Sequence, residues 1–239
     1  MLLAFVTANT VFTQTGHCSS EELNRKGLAA YQKQDYISAA AILRQAARSC
    51  PDNVKILYNL GSTLVASHRK DEAIVALRTA VSLRPNYSEA FNQLGVAYLE
   101  AGEKANAANA FTAAIALAPN DPVALYNFGC LRIRERRFDE AIQLLEKARS
   151  IDPNNPELLI NLGFALVQKQ KLGRAIEEYE RVIAISPSDY DARLSLGYLY
   201  LRTRNRSAAI NQYSVLKTQA PDQAAQLYRA LSAAFVVHR

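Results

Sequence analysis

A chain of 239 residues that is 49% hydrophobic and 21% charged has the make-up of a folded protein, and none of its apolar runs is long enough to span a membrane as a helix. The net charge of +6 is modest and speaks mainly to solubility. Three scattered histidines (His17, His68, His238) and no HExxH, CxxC or phosphate-loop sequence argue against a metal site, a cofactor site or a catalytic constellation.

Residues 1–17 precede any regular pattern. Met1-Leu2-Leu3-Ala4-Phe5-Val6 is apolar, and Thr7 to Thr15 is threonine-rich and uncharged. Two readings stay open: the end of a secretory signal segment without its basic start, or an N-terminal arm.

From residue 18 to 221 the chain repeats. Gly27, Gly61, Gly95, Gly129, Gly163 and Gly197 follow one another every 34 residues. An alanine stands twelve after each (Ala39, Ala73, Ala107, Ala141, Ala175, Ala209) and a proline twenty-four after each (Pro51, Pro85, Pro119, Pro153, Pro187, Pro221). A fixed period of this size means stacked supersecondary units. Leu57, Leu60 and Leu64 fall at helical spacing around the second glycine, and Ala73, Ile74, Leu77, Ala80 and Val81 restart the pattern after a polar break. Asp71-Glu72 and Asp139-Glu140 put carboxylates in a helix first turn, where the dipole favours them. The proline then ends the second helix. Each unit is a helix–turn–helix. Glycine in a helix costs about 1 kcal/mol relative to alanine. Six such costs imply close packing, expected here between the glycine and the small alanine of the second helix.

In the first unit, Cys18 stands just before one helix and Cys50 ends the other, so the two share one end of a hairpin. A disulfide between them would agree with an oxidising compartment, periplasmic or secreted; two free thiols agree with a cytoplasmic one. Pro122 and Pro156 open the first helices of units four and five, a position proline tolerates. Residues 222–239 read as one more helix that caps the stack, with Leu227, Leu231, Ala234 and Phe235 turned inward.

This pattern resembles the tetratricopeptide repeat (TPR) family. A large apolar residue precedes most glycines (Leu60, Leu94, Phe128, Leu162, Leu196), and an aromatic or leucine stands sixteen after each (Leu43, Leu77, Phe111, Leu145, Tyr179, Tyr213). Lys26 before the first glycine and Arg132 in unit four depart from it. The resemblance implies an all-α, right-handed superhelical solenoid of six repeats plus the cap helix, without catalytic activity, cofactor or metal.

It also implies a concave groove lined by the first helices. Residues three before, one after and four after each glycine then share the groove face: Asn24, Leu28, Tyr31; Tyr58, Ser62, Val65; Asn92, Val96, Leu99; Tyr126, Cys130, Ile133; Ile160, Phe164, Val167; Leu194, Tyr198, Leu201. An amide row, Asn59, Gln93, Asn127 and Asn161, stands two before the glycine and resembles the asparagine ladder of O-linked N-acetylglucosamine transferases. Its donors and acceptors suit a peptide backbone. The reading is an interaction scaffold or adaptor that holds a peptide or helix of another protein in the groove. Two alternatives stay open. Basic residues at the turns between paired helices (Arg69, Lys70, Lys104, Arg136, Arg137, Lys169, Lys171, Arg204, Arg206) form an edge that could bind nucleic acid or lipid head groups. The chain could also be the regulatory subunit of a separate enzyme.

Overall fold

Proline and a left-handed residue punctuate this chain into thirteen helices and no strand among the described residues. The computed structural model describes residues 12–236, and their side chains from 20 to 233. The chain divides into two compact units, Met1–Pro119 and Asn120–Arg239. Unit 1 pairs α1 (Phe12–Gln32) with α2 (Tyr36–Ser49), α3 (Val54–Ala66) with α4 (Lys70–Leu83), and α5 (Ser88–Glu100) with α6 (Lys104–Leu117). Unit 2 pairs α7 (Pro122–Arg134) with α8 (Phe138–Ile151), α9 (Pro156–Gln168) with α10 (Leu172–Ile185), and α11 (Tyr190–Arg202) with α12 (Arg206–Gln219); α13 (Pro221–Val236) then packs on both α11 and α12.

Each second helix ends two residues before the repeating proline. The expected carboxylates, Asp71, Glu72, Asp139 and Glu140, do occupy first turns, and Pro122 and Pro156 open α7 and α9. Asn53, Asp121, Asn155 and Asp189 cap first helices by accepting backbone N–H bonds.

Between paired helices the chain reverses through one residue with positive φ, always seven after the repeating glycine: Gln34, His68, Gly102, Arg136, Gln170 and Arg204, with φ from 57° to 80°. The next residue's N–H then reaches back to close the helix. Arg69 N–H donates to the Leu64 carbonyl at 2.8 Å and Lys171 N–H to that of Leu166 at 2.9 Å. This is the six-to-one bond of a Schellman close.

The repeating glycines are explained differently from the sequence expectation. Their contact is not the alanine twelve residues on, although all six of those alanines are fully buried. It is the large residue sixteen on. A Cβ on Gly95 would sit 2.5 Å from the Phe111 ring, and one on Gly129 would sit 2.8 Å from Leu145. Missing Cβ atoms thus make the slot into which Leu43, Leu77, Phe111, Leu145 and Tyr179 fit. The last hairpin departs: under Gly197 the slot holds Leu227 of α13, while Tyr213 is half-buried and stacks on Tyr228 with ring centroids 5.8 Å apart.

Within unit 1, one apolar cluster runs through all three hairpins, from Leu43 through Leu60, Leu64 and Leu77 to Leu94 and Ala110. Within unit 2, ion pairs tie neighbouring hairpins: Arg149 to Glu178, Arg174 to Glu146, and Lys169 to Asp139 at 2.8 Å. Arg132, which breaks the repeat's apolar pattern, lies over the Phe128 ring at 4.4 Å and pairs with Glu135 and Glu140. Cation–π contact and two carboxylates replace the missing apolar packing.

The Cys50 thiol donates to the Ser20 hydroxyl at 3.2 Å. The side chain of Cys18, on which the choice between a disulfide and two free thiols turns, residues 1–11, and the inward side chains expected at Ala234 and Phe235 lie outside the described residues.

Candidate partner-binding site

The first helices of each unit carry the columns singled out in the sequence. Their chemistry differs between the two units.

In unit 1 the face is more polar, and Tyr31 at its start is 36% exposed. Asn59 is buried and donates from Nδ2 to the side-chain Oδ1 of Asn24 at 2.8 Å. It therefore joins α1 to α3 and is no free rung for a peptide backbone, which corrects its place in the amide row. Asn92 is buried as well. Tyr58 is half-buried with its ring 5.0 Å from Tyr87, which in turn lies under the Arg84 guanidinium. A cavity of 180 Å³ opens among Leu28, Tyr31, Tyr58, Asn59, Ser62, Thr63 and Gln93. Neutral hydrogen-bonding groups dominate its wall. Val96 and Leu99 are half-buried on the next helix.

In unit 2 the face is apolar and more open. Phe164 is 42% exposed and Tyr198 36% exposed. Ile133, Ile160, Val167 and Leu201 are half-buried beside them. Phe164 meets Phe138, at the start of α8, edge to face with centroids 6.4 Å apart. The sequence reading did not include Phe138 in the site. Its only signal was its place nine after Gly129, where the first hairpin has Tyr36.

Tyr126, Asn127, Cys130 and Asn161 form the polar start of this face. Asn161 Nδ2 donates to the Tyr126 hydroxyl oxygen at 3.1 Å and to the Glu157 carbonyl at 2.9 Å. Burial pushes the Tyr126 hydroxyl well above its ordinary range and also pushes the Cys130 thiol up, so both are held neutral. Arg134 and Glu157 both act on the Cys130 thiol. Asn127 is half-buried.

Leu194 is corrected outright. It is 9% exposed and belongs to the core of the last hairpin with Ala209, Leu216 and Leu227. The cause is α13, which packs on α11 and covers that column.

Turn cations are partly neutralised. Arg69 pairs with Glu72, Arg137 with Glu140, and Lys169 with Asp139. Among the described residues no group of three or more His, Cys, Asp or Glu could hold a metal ion, and no helix is long and apolar enough to cross a membrane.

Comparison with known proteins agrees with this architecture. The chain is similar in structure to a protein solved in work described as functional characterisation of Pseudomonas aeruginosa pilF, with 17% identity, a TM-score of 0.76, and coverage of 91% of this chain and 99% of that one. It is similar to PilW, described as a widely conserved type IV pilus biogenesis factor, at 20% identity and a TM-score of 0.77, over 87% of this chain and 98% of PilW. It is also similar to YrrB, described as a TPR protein with an unusual peptide-binding site, at 18% identity and a TM-score of 0.67, over 78% and 97%. No curated protein matches the sequence. Residues 58–122 and 132–177 each match a family described as tetratricopeptide repeat, and residues 165–203 match one described as TPR repeat. With the 34-residue hairpins and the filled glycine slots, these matches place the chain in the tetratricopeptide repeat family.

Proposed function

We propose that this protein is a non-catalytic scaffold or adaptor that holds a peptide or helix of another protein against the first helices of unit 2. The observation that carries the reading is the exposure of two aromatic side chains, Phe164 and Tyr198, among half-buried aliphatic ones. Exposed apolar surface of this kind marks partner sites, and buried aromatic anchors supply most of the energy at such sites. Asn161 is less available than the aromatics, because its Nδ2 already serves Tyr126 and the Glu157 carbonyl.

The test is a pull-down from the source cell with mass spectrometry, followed by binding measurements on the captured segment. Phe164→Ala and Tyr198→Ala should each weaken binding by about 1–3 kcal/mol. Their melting curves should stay close to the parent's, since neither side chain is buried. Normal binding by both variants would sink the reading.

A further inference from the structure

The charge along the turn edge is not spread evenly. Consider the seven residues that begin five after each repeating glycine. Residues 32–38, 66–72 and 134–140 each hold as many acids as Lys and Arg, and residues 100–106 hold one acid more. Residues 168–174 hold three cations and no acid, and residues 202–208 do the same. A preference of helix C-termini for cations would act on all six turns alike. It does not explain why the excess sits in two of them.

Among these cations Lys169 pairs with Asp139 and Arg174 with Glu146, and Arg206 is engaged within the chain as well. Arg202 meets only the neutral Gln170 side chain, at 2.9 Å. Lys171 and Arg204 are exposed and make no ion pair among the described residues. Arg202 ends α11, Arg204 lies two residues beyond it, and Lys171 lies three residues beyond α9 as the N-cap of α10, so all three follow the two helices that carry Phe164 and Tyr198. The opposite ends of those helices carry acids: Glu157 in the first turn of α9, Asp189 capping α11 and Asp191 in its first turn. The apolar face of α9 and α11 is therefore flanked by opposite charges.

We infer that the segment held on this face is an apolar stretch with carboxylates at one flank, which lie toward Lys171, Arg202 and Arg204 and away from Glu157, Asp189 and Asp191. This rests on the reading of unit 2 as the partner site and specifies its ligand. Complementary charge fixes register and excludes wrong partners, because like charges brought together are costly. A basic flank would meet three unneutralised cations.

The test uses the full chain and two sets of fluorescein-labelled peptides. Both sets carry the same leucine and phenylalanine residues at helical spacing; one carries glutamate at one flank, the other lysine at the same flank. The glutamate set should bind about tenfold tighter or more, and added salt should narrow the gap. Arg202→Glu with Arg204→Glu should remove or invert the preference. Lys171→Glu is the second variant, should the double one melt early. Phe164→Ala should weaken both sets. Equal affinity for the two sets, with Phe164→Ala still weakening both, overturns this inference and leaves the partner site standing. Failure of both sets to bind, or indifference to Phe164→Ala, overturns both. A labelled single-stranded oligonucleotide is the third probe. Binding of it that needs Arg202 and Arg204 but not Phe164 overturns the inference in favour of a phosphate surface.

Discussion

Units 1 and 2 are built from the same 34-residue hairpin and differ in what their first helices present. Unit 1 runs one apolar cluster through its three hairpins, and its first-helix face is closed by amides and stacked tyrosines. Unit 2 adds a closing helix, buries one of its inter-hairpin ion-pair partners, Glu178, and sets the exposed Phe164 and Tyr198 among aliphatic side chains; unit 1 has the exposed Tyr31 and the more open Arg44–Glu72 pair. The glycine slot, the buried alanine, the proline stop and the turn are common to both, and these positions define the hairpin. The remaining columns are free to differ, and binding chemistry belongs to what differs.

The sharpest way to break this comparison is through the slot itself. In unit 1 the hairpin fills its own slot, so Leu77→Ala should cost about 2–5 kcal/mol by cavity formation. In the last hairpin of unit 2 the filling comes from α13. Leu227→Ala should therefore cost as much as Leu77→Ala, whereas Tyr213→Ala, at the position equivalent to Leu77, should cost clearly less. Denaturant melts of the three variants decide it. Equal losses at Tyr213 and Leu227 would mean that α13 is only laid on the surface.

A second comparison concerns the ion pairs. Glu178 is 1% exposed and depends on Arg149, while both partners of the Arg44–Glu72 pair in unit 1 are partly in solvent. Removing Arg149 strands a buried carboxylate, so Arg149→Ala should cost about 3 kcal/mol. Glu178→Gln should cost less, since Arg149 can turn to water. Arg44→Ala should cost no more than about 1 kcal/mol, the usual worth of an exposed pair. Similar losses for Arg149→Ala and Arg44→Ala would show that burial of Glu178 matters little.

Much of this was legible in the sequence, for physical reasons. Glycine, alanine and proline recur because each serves a position that few other residues can: a slot, a fully buried contact, a helix stop. The period reports them directly. Leu227 was read as inward-facing, but its slot was not, because α13 has no glycine in register and Tyr213 stands where the repeat expects the filler. Leu194 and Asn59 were placed on the binding face because column position alone does not say how far a neighbouring helix reaches over it. The six left-handed turn residues were invisible. Only Gly102 announces itself; the other five are Gln, His and Arg, which give no sign of positive φ.

Those turns provide the smallest expected effect and tie stability to binding. A non-glycine residue with left-handed backbone pays about 1 kcal/mol in steric strain between Cβ and the carbonyl. Unit 1 relieves this once, at Gly102; unit 2 never does, with Arg136, Gln170 and Arg204 all at φ near 60°. Gly102→Ala should then lose about 1 kcal/mol. Arg136→Gly and Gln170→Gly should gain somewhat less than that, because glycine also frees the unfolded chain. Arg204→Gly is the informative case. It should raise the melting temperature as the other two do, and it should also reduce the preference for glutamate-flanked peptides, since the cation goes with the strain. If Arg204→Gly gains stability and keeps the full preference, Arg204 does not face the partner, and the charge selection falls to Lys171 and Arg202. If it gains no stability, the turn is held by the Asn205 N–H bond to the Tyr200 carbonyl, 2.7 Å long, without measurable strain at residue 204.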